Sequence, residues 1–162
     1  MSEPTRSSAK PLTKPEIWAS VATLLERLPA ALDAQLQRDS GLTHFEFGIL
    51  YALDAAEGRS LRLSVLAGFA SCTLSRLSRA VSRLEQRGWV RRVIDQTDGR
   101  FTLAVLCEEG HAKVQQATPG HEALVDSLVF DVLTSAQARQ FGVASRRISA
   151  AIAPDPVWIP SS

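Results

Sequence analysis

Apolar residues recur at steps of three and four from Glu16 to Asp39, through Ile17, Trp18, Val21, Leu24, Leu25, Leu28, Leu32 and Leu36. That spacing places them on one face of an α-helix. Pro29 falls inside the run and predicts a kink or a division there, because proline removes one backbone donor and its ring crowds the preceding turn. Gly41 predicts the end. Thr43 is suited to cap a second helix, His44 to Ala56, with Phe45, Ile49, Leu50 and Leu53 inward and Gly58 as the stop. Arg59 to Arg62 has the length of an edge strand, and Ser64 predicts the cap of a short third helix, Val65 to Ala70. A fourth helix opens at Thr73, carries the apolar stripe Leu77, Ala80, Val81 and Leu84, and stops at Gly88.

Beyond Gly88 the period changes. Trp89 to Ile94 and Phe101 to Leu106 alternate in the manner of strands, and the turn signal Asp98-Gly99 between them predicts a hairpin. Glu108 and Glu109 open another helix, which passes through Val114 to Pro119 and resumes with Leu124, Val125, Leu128, Val129, Val132 and Leu133. A last helix is expected over Ala136 to Ile152, with Ser135 in its first turn and Phe141, Ala144, Ile148 and Ile152 on one face. Pro154, Pro156 and Pro160 forbid its continuation, leaving 154–162 as a tail in which Val157, Trp158 and Ile159 either pack on a neighbour or stay exposed. Residues 1–15, rich in Ser, Pro, Thr and Lys, form a flexible arm. The pattern as a whole predicts a mainly α fold with a small β wing: short helices in succession, then a hairpin, as in a winged helix-turn-helix. The apolar stripes at both ends of the chain each need a covering partner, from the same domain or from another subunit.

Charge sharpens this picture locally. The chain is 45% hydrophobic and 22% charged, values of a folded domain, and its net charge of only +1 makes no global case for nucleic acid. Between Ser71 and Arg100, however, seven arginines face three acids, a local net of +4. Arg76, Arg79 and Arg83 share one face of the fourth helix, with Ser75, Ser78 and Ser82 close by and no acidic residue from Ser75 to Arg83. Small hydroxyls between arginines let a helix approach a phosphate backbone or a base edge, and arginine pairs bidentately with guanine. Thr73, Ser75, Arg76, Ser78, Arg79, Ser82 and Arg83 are therefore candidate DNA contacts, with Arg100 as the wing residue and Asp98 orienting it through a charge-assisted hydrogen bond. The bland alternatives are a solvated basic face with internal ion pairs and a simple turn pair. Arg87, Arg91 and Arg92 read as surface residues or phosphate contacts.

Other chemistry is sparse. Cys72 and Cys107 fit no metal or redox spacing and read as small apolar fillers in a reducing compartment. There is no nucleophile elbow, no phosphate-binding glycine loop and no His-Glu-x-x-His, and the three histidines have no carboxylate or cysteine at ligand spacing. No catalytic residue, metal site or cofactor is expected, and the chain does not read as an enzyme. His111 and His121 read as structural or exposed. No run approaches the ~18 to 20 uncharged apolar residues that span a membrane, and no apolar core follows the basic residues at the N-terminus, so a cytoplasmic protein is expected.

Leu66-Ala67, Ser78-Arg79, Arg83-Leu84-Glu85, Arg87-Gly88, Asp98-Gly99-Arg100 and Leu106-Cys107-Glu108-Glu109-Gly110 follow one another at set spacings. In that order they resemble the MarR family of winged-helix transcriptional regulators, whose pattern runs from Leu-Ala through Thr-Arg, Arg-Leu-Glu and Arg-Gly to Asp-x-Arg in the wing and Leu-Thr-x-x-Gly after it. The flanking helices fit as well. The resemblance implies a winged helix-turn-helix DNA-binding domain at 41–109 and a helical dimerisation region built from 16–40 and 110–153. It implies a homodimer on double-stranded DNA at a pseudo-palindromic operator, with half-sites on the order of 10 base pairs apart. It also implies a repressor relieved by a small aromatic or phenolic effector, held in a cleft that Trp18, His44, Phe45 and Phe47 would line. The alternative is a winged-helix architectural DNA-binding or protein-interaction module without effector response. Thr73-Leu74 stands where the family often has Ser-Pro, Arg76 where it has Thr, and Cys107 where it has Thr; neither cysteine matches the N-terminal reactive cysteine of the peroxide-sensing branch.

Overall fold

A computed structural model describes residues 11–152; most of the expected arm and all of the expected tail, Val157, Trp158 and Ile159 included, lie outside the described residues. The elements run α1 (Lys14–Ser40), α2 (His44–Ala55), β1 (Ser60–Arg62), α3 (Leu63–Phe69), α4 (Leu74–Gln86), β2 (Val90–Ile94), β3 (Thr102–Leu106), α5 (Glu108–Val125), a π-helical turn Asp126–Phe130, and α6 (Ser135–Ile152). The result is the mainly helical fold with a small sheet that the pattern predicts.

Helix α1 begins two residues inside the expected arm. The Glu16 carboxylate accepts from both the backbone N–H and the hydroxyl of Thr13 at 2.7 Å, which closes the first turn. The expected division at Pro29 does not occur, and α1 is one helix from end to end. Proline removes one backbone bond from a helix that keeps all its others, and the turns after Pro29 are held by Leu32 and Leu36, both buried. Gly41 ends α1 in the left-handed region at φ 64°, its N–H donating back to the Gln37 carbonyl at 3.1 Å. Helix α2 starts from a full capping box: the Thr43 hydroxyl accepts from the Glu46 N–H at 3.0 Å, and the Glu46 carboxylate accepts from the Thr43 N–H at 3.2 Å.

Helix α3 starts two residues earlier than expected from a Ser64 cap. Arg62 holds the cap position without a side-chain bond, because strand β1 runs straight into the helix and already supplies the extended backbone a cap requires. The edge strand expected at 59–62 exists: β1 pairs antiparallel with β3, and β3 with β2, giving the order β1-β3-β2. Ser60 lies opposite Val105, and Arg92 opposite Ala104.

The core sits under this sheet and between α1, α2, α4 and α5, where Leu36, Leu42, Ile49, Leu50, Leu53, Leu66, Leu77, Val81, Leu84 and Val114 are fully buried. Among the described glycines, Gly110, in the first turn of α5, is the most closely packed. A β-carbon there would stand 2.2 Å from the Trp89 carbonyl oxygen and 2.7 Å from Leu106 Cδ1. That carbonyl also accepts the Cys107 N–H at 2.9 Å, so the approach of α5 to the start of β2 is fixed by a hydrogen bond and permitted only by glycine. By contrast α6 buries no residue at all. No described helix is long and apolar enough to cross a membrane.

Candidate nucleic-acid interface

Helix α4 is oriented by its own sequence. The Thr73 hydroxyl caps it, accepting from the Arg76 N–H at 3.2 Å, so this candidate DNA contact serves first as an N-cap. Leu77, Ala80, Val81 and Leu84 are 0% exposed, and burying that stripe turns the opposite side of the helix outward.

The polar side then divides into three parts. Ser75 and Arg79 are exposed, and among the described residues Arg79 makes no hydrogen bond or ion pair. Toward α2, Arg83 donates from Nε to Glu46 Oε1 at 2.9 Å, and the Glu46 side chain is only 5% exposed. Burial pushes the Glu46 carboxyl up, but the Arg83 hydrogen bond, the Thr43 N–H and the charges of Arg83 and Arg87 outweigh it and hold it below the usual value. Arg83, expected as a free DNA contact, is thus half committed to a buried acid within its own chain. Toward the sheet, Ser78 and Ser82 are half-buried. The Arg92 guanidinium donates to the Ser78 carbonyl at 2.7 Å, to Ser78 Oγ at 3.2 Å and to Ser82 Oγ at 3.1 Å, and pairs with Glu85 as well. Arg92, read from sequence as a surface residue or a phosphate contact, is the brace between β2 and α4, and the two serines are its acceptors.

The wing carries the expected pair. Asp98 accepts from Arg100 Nε at 2.9 Å and from Nη2 at 2.8 Å, which holds the carboxyl below its usual value, while the Arg100 side chain stays 83% exposed. At the base of the hairpin, Asp95 accepts from the Thr97 hydroxyl at 2.6 Å, the Thr97 N–H at 2.9 Å and Arg62 at 2.8 Å. Thr97 first, then Arg62, hold its pKa down at about 2. The Arg62 guanidinium also lies over the Phe101 ring at 4.3 Å. Sequence reading missed Arg62 and Asp95. The one local signal was an aspartate two residues before a threonine at the start of a turn.

A cleft of about 840 Å³ opens beside this surface, lined by His44, Phe45, Phe47 and Tyr51 of α2, Arg76 of α4, and His121 and Glu122 of α5, with Phe69 and Phe130 at its edges. Three of the four residues expected at a ligand cleft are there. Trp18 is not: it lies near the start of α1 and is 66% exposed. His121, which had no sequence-spaced partner, stacks on His44 with centroids 5.8 Å apart and lies 4.7 Å from the Phe47 ring. Helix α5 crosses α2 at this point, a tertiary fact that spacing within one helix does not carry. Burial pushes both imidazoles below their usual pKa; Asp33 partly offsets this at His44, and the neighbouring His44 adds to it at His121. His121 Nδ1 is buried without a hydrogen-bond partner. His111 is instead bonded through Nδ1 to Asp54 at 2.6 Å.

Cys72 and Cys107 are free and half-buried, Cys72 packing on the core as a filler. Among the described residues no cluster of three or more histidine, cysteine or acidic side chains is placed to hold a metal.

A sequence profile of the MarR family matches residues 40–100. Comparison with curated protein sequences gave no match. Among solved structures, the MarR family transcriptional regulator Sco3205 of Streptomyces coelicolor, crystallised in complex with DNA, is 38% identical, with a TM-score of 0.84 over 96% of this chain and 98% of that one. AbsC, a MarR family transcriptional regulator of the same organism, is 30% identical, with a TM-score of 0.83 over 91% of this chain and all of that one, 100%. CouR of Rhodococcus jostii RHA1, crystallised with p-coumaroyl-CoA, shares the fold at 20% identity, with a TM-score of 0.73 over 88% of this chain and 96% of that one.

Proposed function

The chain belongs to the MarR family of transcriptional regulators, and from that premise we propose that it is a cytoplasmic, homodimeric, sequence-specific DNA-binding repressor released from its operator by a small aromatic or phenolic effector. The observation that carries this reading is Arg79: an exposed arginine without an internal partner, centred on the acid-free face of a capped and firmly buried helix. Its guanidinium is free to meet a guanine edge, and the rigid helix beneath it sets the angle of approach. The wing, with Arg100 held forward by Asp98, stands ready for the adjoining backbone or minor groove.

Residues 41–109 serve in this reading as the DNA-binding domain, and 16–40 with 110–153 as the dimerisation region. The apolar side chains left exposed on α1 and α6, among them Ile17, Leu25, Phe141 and Ile148, are what a second copy would cover. The cleft beside α4 is the effector site of this reading, since its aromatic lining suits a flat ring.

Selection of bound fragments from the source genome, followed by titration at physiological salt, tests the function. A regulator keeps a large affinity ratio for its selected site over random DNA, whereas equal affinity for both would make the chain an architectural binder. Arg79→Ala is expected to weaken binding to the selected site by ~1 to 3 kcal/mol, with the fold unchanged. A wild-type titration curve for that variant would remove Arg79 from the reading surface.

A further inference from the structure

Leu74 is the first residue of α4, and steps of three and four carry the apolar stripe of that helix back to it from Leu84, Val81 and Leu77. Those three and Ala80 are 0% exposed, yet Leu74 is 52% exposed. It belongs to the outer surface instead: with Ser75, Ser78, Arg79 and Ser82 it lines a shallow depression of about 550 Å³ on α4. This is also a position at which the chain departs from the family pattern, carrying leucine where proline is frequent.

The depression is apolar at one end and cationic at the other. Ser78 and Ser82 accept from Arg92 at 3.2 and 3.1 Å, so their oxygens are engaged on the sheet side. Ser75 and Arg79 are exposed, and Arg79 makes no hydrogen bond or ion pair among the described residues. A guanidinium only donates, and in the major groove guanine meets it with two acceptors. A leucine side chain neither donates nor accepts. The apolar group displayed in that groove is the C5-methyl of thymine, and the O4 acceptor beside it suits an exposed hydroxyl such as that of Ser75. Arg79 follows Leu74 by five residues, about 7.5 Å along the helix axis, which corresponds to about two base-pair steps.

We propose that Leu74 is a specificity-determining residue, which packs on a thymine methyl in the major groove within about two base pairs of the guanine met by Arg79. A lone exposed leucine on an ordinary surface needs no explanation. Leu74 stands in the first turn of α4, the part of a recognition helix that contacts base edges, and it shares one depression with the unpaired arginine. Water driven from between leucine and methyl favours a site with thymine there over the same site without the methyl. The inference deepens the regulatory reading and rests on α4 being the helix that enters the groove.

The test compares the selected DNA fragment with copies in which single thymines are replaced by deoxyuridine, a change that deletes the methyl and keeps the base pairing. The guanine is located as the position whose base preference Arg79→Ala relaxes. Titration of the full chain is expected to show about four-fold weaker binding for each methyl removed at one position near that guanine, the scale of one buried methyl group. Leu74→Ala should bind the thymine and deoxyuridine fragments equally, with a wild-type thermal midpoint. Leu74→Met, apolar and of similar volume, should keep the preference. A preference for thymine that survives in Leu74→Ala assigns the methyl to another side chain and overturns the proposal. So does a selected site in which no thymine within that distance responds to loss of its methyl. Failure of the wild type to select any fragment strikes the regulatory reading and this one together, whereas a selected site indifferent to deoxyuridine strikes Leu74 alone.

Discussion

Helices α4 and α6 both carry apolar residues at helical spacing, yet α4 buries Leu77, Ala80, Val81 and Leu84 completely while α6 buries nothing. The difference lies in where the covering surface comes from. The α4 stripe meets α2, α3 and the sheet of its own chain, whereas Phe141, Val143, Ile148 and Ile152 of α6 face outward at 38% to 80% exposure. An apolar stripe states that a face needs covering and is silent about which molecule covers it. The winged unit is complete within one chain, whereas the apolar faces of α6 and of the first half of α1 are left exposed by it.

The sharpest way to break this contrast is to add a methyl group at matched glycines. Gly110→Ala drives a β-carbon into the Trp89 carbonyl at 2.2 Å, whereas Gly142 in α6 has nothing within 4 Å. Gly110→Ala is expected to cost about 3 kcal/mol or more in denaturant unfolding, from overpacking against backbone that cannot yield. Gly142→Ala should be neutral or stabilising by up to ~1 kcal/mol, as helix propensity alone dictates. Equal effects at the two sites would mean that α6 is as tightly enclosed as α5.

Next in size is Ile148→Asp. A charge on the exposed face of α6 should leave the secondary structure intact and weaken self-association by about 2 kcal/mol or more, read as a shift from dimer to monomer in sedimentation velocity. An unchanged sedimentation coefficient would place the covering surface elsewhere.

Within the winged unit, Arg83→Ala leaves the buried Glu46 carboxylate without its strongest hydrogen-bond donor. A loss of about 1 to 2 kcal/mol of stability is expected, between the small value of an exposed pair and the larger one of a buried pair. A thermal midpoint equal to wild type would show that water replaces Arg83 at no cost. Such a result would return Arg83 to the DNA-facing surface beside Arg79.

The smallest effect concerns the wing. Asp95 has a folded pKa of about 2 against an ordinary 3.8, so its contribution is fully present above 3.8 and is lost as pH falls through about 2. Hydrogen exchange in the hairpin should accelerate across that window, and Asp95→Asn should remove the acid-dependent part. An identical pH profile in the variant would show that Thr97 and Arg62 hold the turn without the charge.

Much of this was legible along the chain. Steps of three and four marked α1, α2, α4 and α6, alternation marked β2 and β3, and Thr43, Thr73 and Gly41 marked helix ends, because each of these signals is local and acts through the residue's own backbone. The basic face and the Asp98–Arg100 pair were equally plain, since their members are neighbours in sequence. What escaped were bonds across elements. Glu46 takes Arg83 from 37 residues away, Asp95 takes Arg62 from 33 away, and Arg92 reaches back to Ser78. No periodicity reports such partners. The division that Pro29 allowed for did not occur for a related reason: its local penalty is real, but Leu32 and Leu36 are anchored by burial that the pattern records only as apolar.

By itself, then, the sequence determined where the helices lie to within a residue or two at their starts, which side of each is apolar, and that arginines without acids gather on one helix before a hairpin. Tertiary structure decided which of those arginines remain available. Among the described residues it tied Arg83 to Glu46, made Arg92 a brace, left Arg79 unpaired and set Arg76 between the cleft and the arginine surface of α4. The physical reason is that a charge's availability depends on what stands within a few ångströms of it, and those neighbours are brought in by the packing of α2, α4, α5 and the sheet around one core.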